Sequence, residues 1–328
     1  MATYKGIQGY SVQKLSSDPT ASEAAGQLWY NSTTGKFKIA TQGAGAWATV
    51  ASLSTAKSQV AGLGIATAAM ATGGAVPAIV GTSETYDGST WTEGNDMNSV
   101  RRNAKACGTT TAGMVVGGWG SPAGVTATEY YDGTCWSTQG GTLTRGGGYQ
   151  SQALAGVSQA SAMVYGGEPG TTYMKYTEEW NGTSWSEQNK LNTGRAACGG
   201  VGIVTAALAI SGYTPPVATN VESWDGTCWT ETSTDINSAR AALGASGTST
   251  ACLAFGGAGP SALTESFDGS TWTEVADLAT GRFEFGMAQT PSMTNLSALC
   301  IGGDSGSYTN VVEAWSDPTY TIKTVTVS

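Results

Sequence analysis

The apolar positions of this chain fall in short runs rather than along the faces of helices. A stretch of small residues such as Ala104-Lys105-Ala106-Cys107-Gly108 is followed by a compact apolar run, Gly113-Met114-Val115-Val116, which stops at a pair of glycines. A short continuous apolar run bounded by turn residues suits a strand buried on both faces. Next come Glu129-Tyr130-Tyr131, the dipeptide Asp132-Gly133, and a polar segment led by Trp136. Asp-Gly between two such segments predicts a two-residue hairpin, because these residues tolerate positive φ at both turn positions. The unit thus reads as four strands: a small-residue inner strand, an apolar second, a third with Glu and an aromatic, and a fourth whose Trp covers the boundary to the next unit.

The unit recurs. The phrase Glu84-Thr85-Tyr86-Asp87-Gly88-Ser89-Thr90-Trp91 returns around Glu129/Trp136, Glu178/Trp185, Glu222/Trp229 and Glu265/Trp272, and a sixth copy places Glu313, Trp315 and Tyr320 in the same slots. The glutamates are 45, 49, 44, 43 and 48 residues apart, a period that fits one four-stranded propeller blade. Glycine pairs recur at Gly73-Gly74, Gly117-Gly118, Gly166-Gly167, Gly256-Gly257 and Gly302-Gly303, with Ser211-Gly212 as the imperfect copy. A basic residue precedes each inner strand: Lys57, Arg101, Arg145, Arg195, Arg240 and Arg282. Six copies predict six blades, with residues 320–327 completing the sixth. Ring closure then rests on packing between neighbouring blades or on a strand lent by the leader.

The order basic residue, apolar strand, Gly-Gly, aromatic-Asp, Trp resembles the kelch repeat over roughly residues 57–328. That resemblance implies a β-propeller; it implies no activity, since propellers of this type serve as enzymes, adaptors and binding platforms. The expected fold is all-β: a six-bladed kelch-like β-propeller over 56–328, preceded by a small antiparallel β module over 1–55. Within the leader, Gly26-Gln27-Leu28-Trp29-Tyr30-Asn31-Ser32-Thr33-Thr34-Gly35-Lys36-Phe37-Lys38-Ile39 reads as strand, turn, strand, and Ala46-Trp47-Ala48-Thr49-Val50 as a third strand completing the module. The Gly-x-Leu-Trp-Tyr-Asn-x-x-Thr-Gly phrase resembles a module near the start of tail-fibre and other structural proteins of tailed bacteriophages. It implies that the leader attaches a binding head to a virus particle.

Composition narrows the chemistry. The chain has 328 residues, 47 of them glycine, and only 12% charged residues, a composition of many tight turns. It has no histidine, which removes imidazole general bases, the Ser-His-Asp triad and imidazole metal ligands. The net charge of −9 is concentrated after residue 50, so the bulk of the chain repels phosphate backbones and anionic lipid, and nucleic acid is not an expected partner. Neither the start, Met1-Ala2-Thr3-Tyr4-Lys5-Gly6, nor any later segment offers a signal h-region or a long apolar span, so no membrane insertion is expected.

The six cysteines, Cys107, Cys135, Cys198, Cys228, Cys252 and Cys300, occupy repeat slots without metal-like spacing and read as buried small-residue packing. Glutamate and arginine recur in every copy, which suits a structural contact better than catalysis, since catalysis needs one asymmetric constellation. Of the six arginines only Arg102 stands outside that register. Enzyme readings run short of parts: kelch-fold copper oxidases need histidine, and a sialidase Asp-box spaces Asp-x-Gly where this chain has adjacent Asp-Gly. A glycosidase carboxylate pair such as Asp96 and Asp304 has no spacing rule behind it. No catalytic residue, cofactor or metal is therefore expected, and the protein is read as a non-enzyme.

Subtracting the repeat leaves the more informative residues. Trp119 alone among the eleven tryptophans has neither a strand slot nor a place in the leader; it opens the loop after a glycine pair. Tyr173, Tyr176, Tyr213 and Tyr308 fall in the corresponding loops of later copies. Second-to-third loops and the connections between blades emerge on one face of a four-stranded meander. The expected binding surface is that face, rimmed by Trp119, Tyr173, Tyr176, Tyr213 and Tyr308 with Asp96, Glu168 and Asp304 nearby, aromatic rings being flat platforms for sugars or protein hot spots. The function expected is that of a virion structural and recognition protein, a phage tail-fibre or tail-tip component, with capsid decoration or a free lectin-like propeller as alternatives. Its expected partners are other virion proteins through residues 1–55 and a host-surface glycan or protein through the loops. Self-association is compatible with the sequence, and the expected location is the virion.

Overall fold

The computed structural model describes residues 12–21, 23–144, 153–168, 172–289, 297–317 and 320–326. Every regular element among them is a β-strand, and no helix among them is long and apolar enough to cross a membrane. The strands form seven four-stranded sheets and one two-stranded ribbon, where the sequence led us to expect six blades and a hairpin module. Two compact units hold them: the described residues of Met1–Gly45 with Asp317–Ser328, and Ala46–Ser316. The division therefore falls before Ala46, not at 55/56, and it returns the C-terminal segment to the leader.

Within Ala46–Ser316, sheet one is built from Ala61–Ile65, Ala68–Thr72, Ser83–Tyr86 and Trp91–Gly94, all antiparallel. Sheets two to five repeat this meander and open with Lys105–Thr109, Ala153–Ser158, Gly199–Ile203 and Gly244–Gly247. Sheet six comprises Gly286–Gln289, Ala298–Ile301 and Val312–Ser316, and its fourth strand is Ala46–Val50. The expectation that residues 320–327 complete this sheet is thereby corrected. Trp47 lies opposite Trp315, as Trp185 lies opposite Trp180, so it occupies the strand-four tryptophan slot assigned from sequence to Tyr320. The first strands of sheets one to six touch in order, and that of sheet six touches that of sheet one, giving a closed cycle.

The core lies between neighbouring sheets. Leu63 and Met70 of sheet one pack with Val115, Tyr131 and Trp136 of sheet two, and Leu299, Ile301 and Val312 of sheet six pack with Ala69, Ala71 and Tyr86 of sheet one. Strands converging on the cycle demand small residues: a Cβ on Gly62 would come within 2.5 Å of the Met287 backbone on the adjoining sheet. Alanine and glycine on the inner strands, with larger apolar side chains on the second, meet that taper.

The basic and glutamate slots form buried ion pairs: Lys57 with Glu84 at 3.0 Å, Arg195 with Glu222 at 2.7 Å, Arg240 with Glu265 at 2.8 Å, and Arg101 with Glu129 and Arg282 with Glu313 in closer contact. Arg145 lies outside the described residues. Each glutamate also caps the incoming connection; Glu222, for example, accepts the Asn192 and Thr193 backbone N–H groups at 2.7 and 3.1 Å. Burial lowers the guanidinium pKa of Arg101 and Arg240, opposed by their glutamates.

The Asp-Gly connections depart from the expected two-residue hairpin. Four residues, Asp87 to Thr90, separate Tyr86 from Trp91, and there only Gly88 has positive φ, +94°. The Asp87 carboxylate instead accepts the Ser89 and Thr90 backbone N–H groups at 2.8 and 2.7 Å, an Asx turn that Asp132, Asn181, Asp225 and Asp268 repeat. Cysteines split likewise: Cys107, Cys198, Cys252 and Cys300 are buried as expected, whereas Cys135 and Cys228 sit exposed in these turns.

The seventh sheet joins Gln13–Leu15, Leu28–Asn31, Lys36–Gln42 and Tyr320–Thr324. It is not the purely antiparallel module expected, because Gln13–Leu15 runs parallel to Leu28–Asn31. Asp18 pins it: its carboxylate accepts the Trp29 indole N–H at 2.9 Å and the Asn31 amide at 2.7 Å, and these bonds hold its pKa below the ordinary value.

Candidate functional site

Wherever both are described, the residue after a glycine pair, or after Ser211-Gly212, docks on the residue after the basic slot; in sheet three the latter lies outside the described residues. Trp119 exchanges backbone hydrogen bonds with Arg102 at 2.7 and 2.9 Å, Tyr213 with Ala196 at 2.8 and 3.1 Å, and Asp304 with Phe283 at 2.9 and 3.1 Å. These contacts hold the second-to-third loops beside the connections that enter the inner strands, at one end of the sheets. The Asx turns lie at the opposite strand ends. Positive φ at both glycines of a pair, +65° and +93° at Gly117 and Gly118, turns the chain sharply out of the second strand into the loop.

The eight sequence-derived residues do not gather at one point. Tyr173 and Tyr213 meet across sheets three and four with ring centroids 5.3 Å apart at 59°. Burial raises the Tyr173 pKa, and Glu168 and Tyr213 raise it further; burial also raises that of Glu168. Tyr213 and Tyr308 remain 40% and 39% exposed, open enough for a flat ligand, while Trp119, Tyr173 and Tyr176 are half-buried. Tyr176 lies beneath the Lys190 ammonium, 4.6 Å from the ring centroid, so its face is already engaged. Asp304 bridges Tyr308 within its own loop and accepts the Gly306 N–H at 2.8 Å. Asp96 is exposed on the connection into sheet two, and among the described residues its carboxylate makes no hydrogen bond with the aromatic loops. The rim is thus a tyrosine pair with Glu168, a separate Asp304–Tyr308 loop and a separate Trp119 loop.

Sequence reasoning missed the mouth of the central channel. Two residues past the basic slot, Gln59, Asn103, Ala197, Ala242 and Glu284 adopt positive φ between 52° and 58°, which lets the Asn103 N–H reach the Gln59 carbonyl at 2.9 Å and the Ala242 N–H the Ala197 carbonyl at 2.7 Å. Each such bond ties one sheet to the next. These residues line a cavity of about 20 Å³, room for roughly one water, with Lys105, Cys198, Phe285 and Met287. Arg102 Nη1 donates to Gln59 Oε1 at 3.0 Å. Burial raises the Glu284 pKa, opposed by the Gln59 hydrogen bond and Arg102, while burial lowers that of Lys105, opposed by Cys198 and Glu284. The slot of Lys105 is Ala61, Gly199, Gly244 and Gly286 in sheets one, four, five and six, so this is where the repeat breaks its symmetry with charge. Lysine in a slot otherwise held by alanine or glycine was the signal that could have marked it. Among the described residues no three His, Cys, Asp or Glu side chains gather to hold a metal ion.

No family model and no curated protein sequence matches the chain. A solved structure described as "Structure of YjhT", a kelch-repeat propeller, aligns over 83% of this chain and 99% of its own with a TM-score of 0.64 and 15% sequence identity. At that identity the likeness is one of fold, and the fold of this chain is all-β, built of four-stranded sheets in the manner of a propeller similar to YjhT.

Proposed function

We propose that the chain is a non-enzymatic recognition protein in which a six-bladed propeller, Ala46–Ser316, presents one face of variable loops to a glycan or protein on a host surface. The seventh sheet serves as its attachment unit. The observation that carries this reading is the asymmetry of the two ends: one bears the exposed Tyr213 and Tyr308, the Tyr173–Tyr213 pair and Trp119, whereas the other bears near-identical Asx turns. Variation confined to one end of a rigid scaffold is the arrangement of a binding surface. The closed cycle of first strands supports the six-blade count. The setting we propose, a tail fibre or tail tip of a tailed phage, rests on the leader phrase from Gly26 to Gly35.

Binding of the purified chain to an array of bacterial surface glycans and to intact cells tests the recognition face. Tyr213→Ala and Trp119→Ala are expected to weaken binding by about tenfold or more, as truncation of an anchoring aromatic does. Unchanged binding for both variants refutes the assignment of this face. Immunogold labelling of virus particles from the source tests the setting: label on the tail supports it, and unlabelled particles refute it.

A further inference from the structure

Five sheets carry arginine in the basic slot and sheet one carries lysine, and the difference leaves a mark. In the described arginine sheets the Nη atoms of the guanidinium serve three partners. Arg195 Nη1 donates to the Ser211 and Asn220 carbonyls at 2.9 and 2.8 Å while Nη2 meets Glu222. Arg101, Arg240 and Arg282 make the same set with Gly117 and Ala127, Gly256 and Leu263, and Gly302 and Val311.

The matching carbonyls in sheet one belong to Gly73 and Thr82, as the Gly73 N–H to Thr82 O bond of 3.0 Å confirms by register. Lys57 is a single ammonium, only 1% exposed and held at 3.0 Å from Glu84 Oε1; it forms no hydrogen bond to either carbonyl. Glu84 is also less occupied than its counterparts, accepting the Ser54 N–H at 2.8 Å but no second backbone N–H of the kind Thr193 gives Glu222. At this place lies a cavity of about 220 Å³, walled by Lys57, Glu84, Thr82, Val76 and Val80 and opening past Ser54, Thr55 and Glu93. Glu93 lies opposite Glu84 across the third and fourth strands, so the wall of the cavity carries two carboxylates against one lysine, which pairs with Glu84 alone.

We propose that this cavity is a binding site for a guanidinium group supplied from outside the chain, as free ligand or as an arginine side chain of a partner. The donor set a guanidinium offers matches what lines the sheet-one cavity: the surplus carboxylate and the Thr82 backbone, whose equivalents in the other described sheets face guanidinium N–H groups. Lys57 does not repel the guest as an isolated cation would, because Glu84 is its counter-charge. The inference is independent of the recognition face, since none of the residues at this cavity is a rim aromatic.

The experiment is titration of the isotopically labelled full chain with agmatine and with N-acetyl-arginine amide, read as amide shifts at Thr55, Val76 and Val80, with butylamine as an ammonium control. Saturable shifts with both guanidinium probes, and weaker ones with butylamine, are expected; response to the acetylated arginine alone assigns the site to a polypeptide partner, and response to agmatine alone to a free ligand. Lys57→Arg fills the slot with the residue the other sheets use, so it keeps the fold and is expected to abolish the shifts. Glu93→Gln is expected to weaken binding about tenfold by removing a charged acceptor. No shift with either probe, or undiminished shifts in the Lys57→Arg variant, overturns the proposal.

Discussion

One tryptophan in the sheet cycle lacks what its equivalents have. The strand-four indole N–H reaches back to the residue just before the glutamate of the preceding sheet: Trp185 to Thr128 Oγ1 at 2.8 Å, Trp229 to Thr177 Oγ1 at 2.9 Å, Trp47 to Thr264 Oγ1 at 3.0 Å and Trp136 to Ser83 Oγ at 3.2 Å. For Trp272 that residue is Val221, and the indole nitrogen is buried without a partner. Trp91 faces Val312 in the same register but donates to the Ala51 carbonyl at 2.8 Å instead. Val221 and Trp272 share one apolar cluster, 1% and 7% exposed, so no water competes for the bond.

Val221→Thr supplies the missing oxygen at nearly constant volume. A buried unsatisfied N–H costs about 1–3 kcal/mol, and a buried threonine hydroxyl costs a comparable amount unless it is bonded. Joining the two relieves both, leaving a net gain of about 0.5–1.5 kcal/mol. Thr177→Val performs the reverse operation on Trp229 and is expected to cost about 1–3 kcal/mol. Urea unfolding followed by tryptophan fluorescence reads both as shifts in midpoint at constant slope. In an ordinary apolar core valine to threonine destabilises, so a Val221→Thr variant less stable than the parent, or a Thr177→Val variant of unchanged stability, refutes the reasoning.

The turn aspartates give a pH prediction. Hydrogen bonds from Thr90 and Ser89 to Asp87, and from Thr271 and Ser270 to Asp268, hold both carboxyls at about 2, below the ordinary 3.8. A depressed folded pKa contributes stability that is present above the unfolded value and is lost as pH falls through that window toward about 2. Asp268→Asn, copying Asn181, is expected to keep the turn while flattening that part of the acid-unfolding profile; an unchanged profile counts against the assignment. Thiol chemistry gives another: burial pushes Cys107 and Cys300 up to about 12 and raises Cys198 and Cys252. A brief iodoacetamide pulse on the native protein should alkylate only Cys135 and Cys228 by mass spectrometry, and early labelling of any of the other four contradicts the burial described.

The repeat was legible because each copy writes its own local contacts in order. Arg195 and Glu222 lie 27 residues apart within one meander, so a spacing search finds them, and the structural reading of that pair followed from its recurrence. Three features escaped because their causes are not local. Positive φ at Ala197 or Ala242 accompanies a hydrogen bond to the adjoining sheet, and alanine does not announce it. The tyrosine rim scattered because equivalent loop positions on separate sheets stay apart unless neighbours, as Tyr173 and Tyr213 are. Trp47 reads from sequence as part of the leader because its partner Trp315 stands at the other end of the chain, although the sixth copy lacks a strand-four tryptophan.

That last pairing decides where the chain can be cut. Ala46–Val50 pairs with Val312–Ser316, and Trp47 packs its ring 4.8 Å from Phe255 and 5.6 Å from Trp315, with its indole N–H on Thr264. Removing residues 1–45 and 317–328 leaves these contacts whole, whereas starting at residue 51 exposes the edge of Val312–Ser316 and uncovers Phe255 and Trp315. Loss of the partly buried Trp47 side chain costs at most about 3–5 kcal/mol, the figure for a fully buried tryptophan, and an unpaired apolar edge is a template for aggregation. The chain 46–316 is therefore expected to be monodisperse by size-exclusion chromatography with a single cooperative melt, and the chain 51–316 to aggregate or melt well below it. Equal behaviour of the two refutes the view that hydrogen bonding between the two ends of the repeat, rather than packing between neighbouring sheets, closes the cycle.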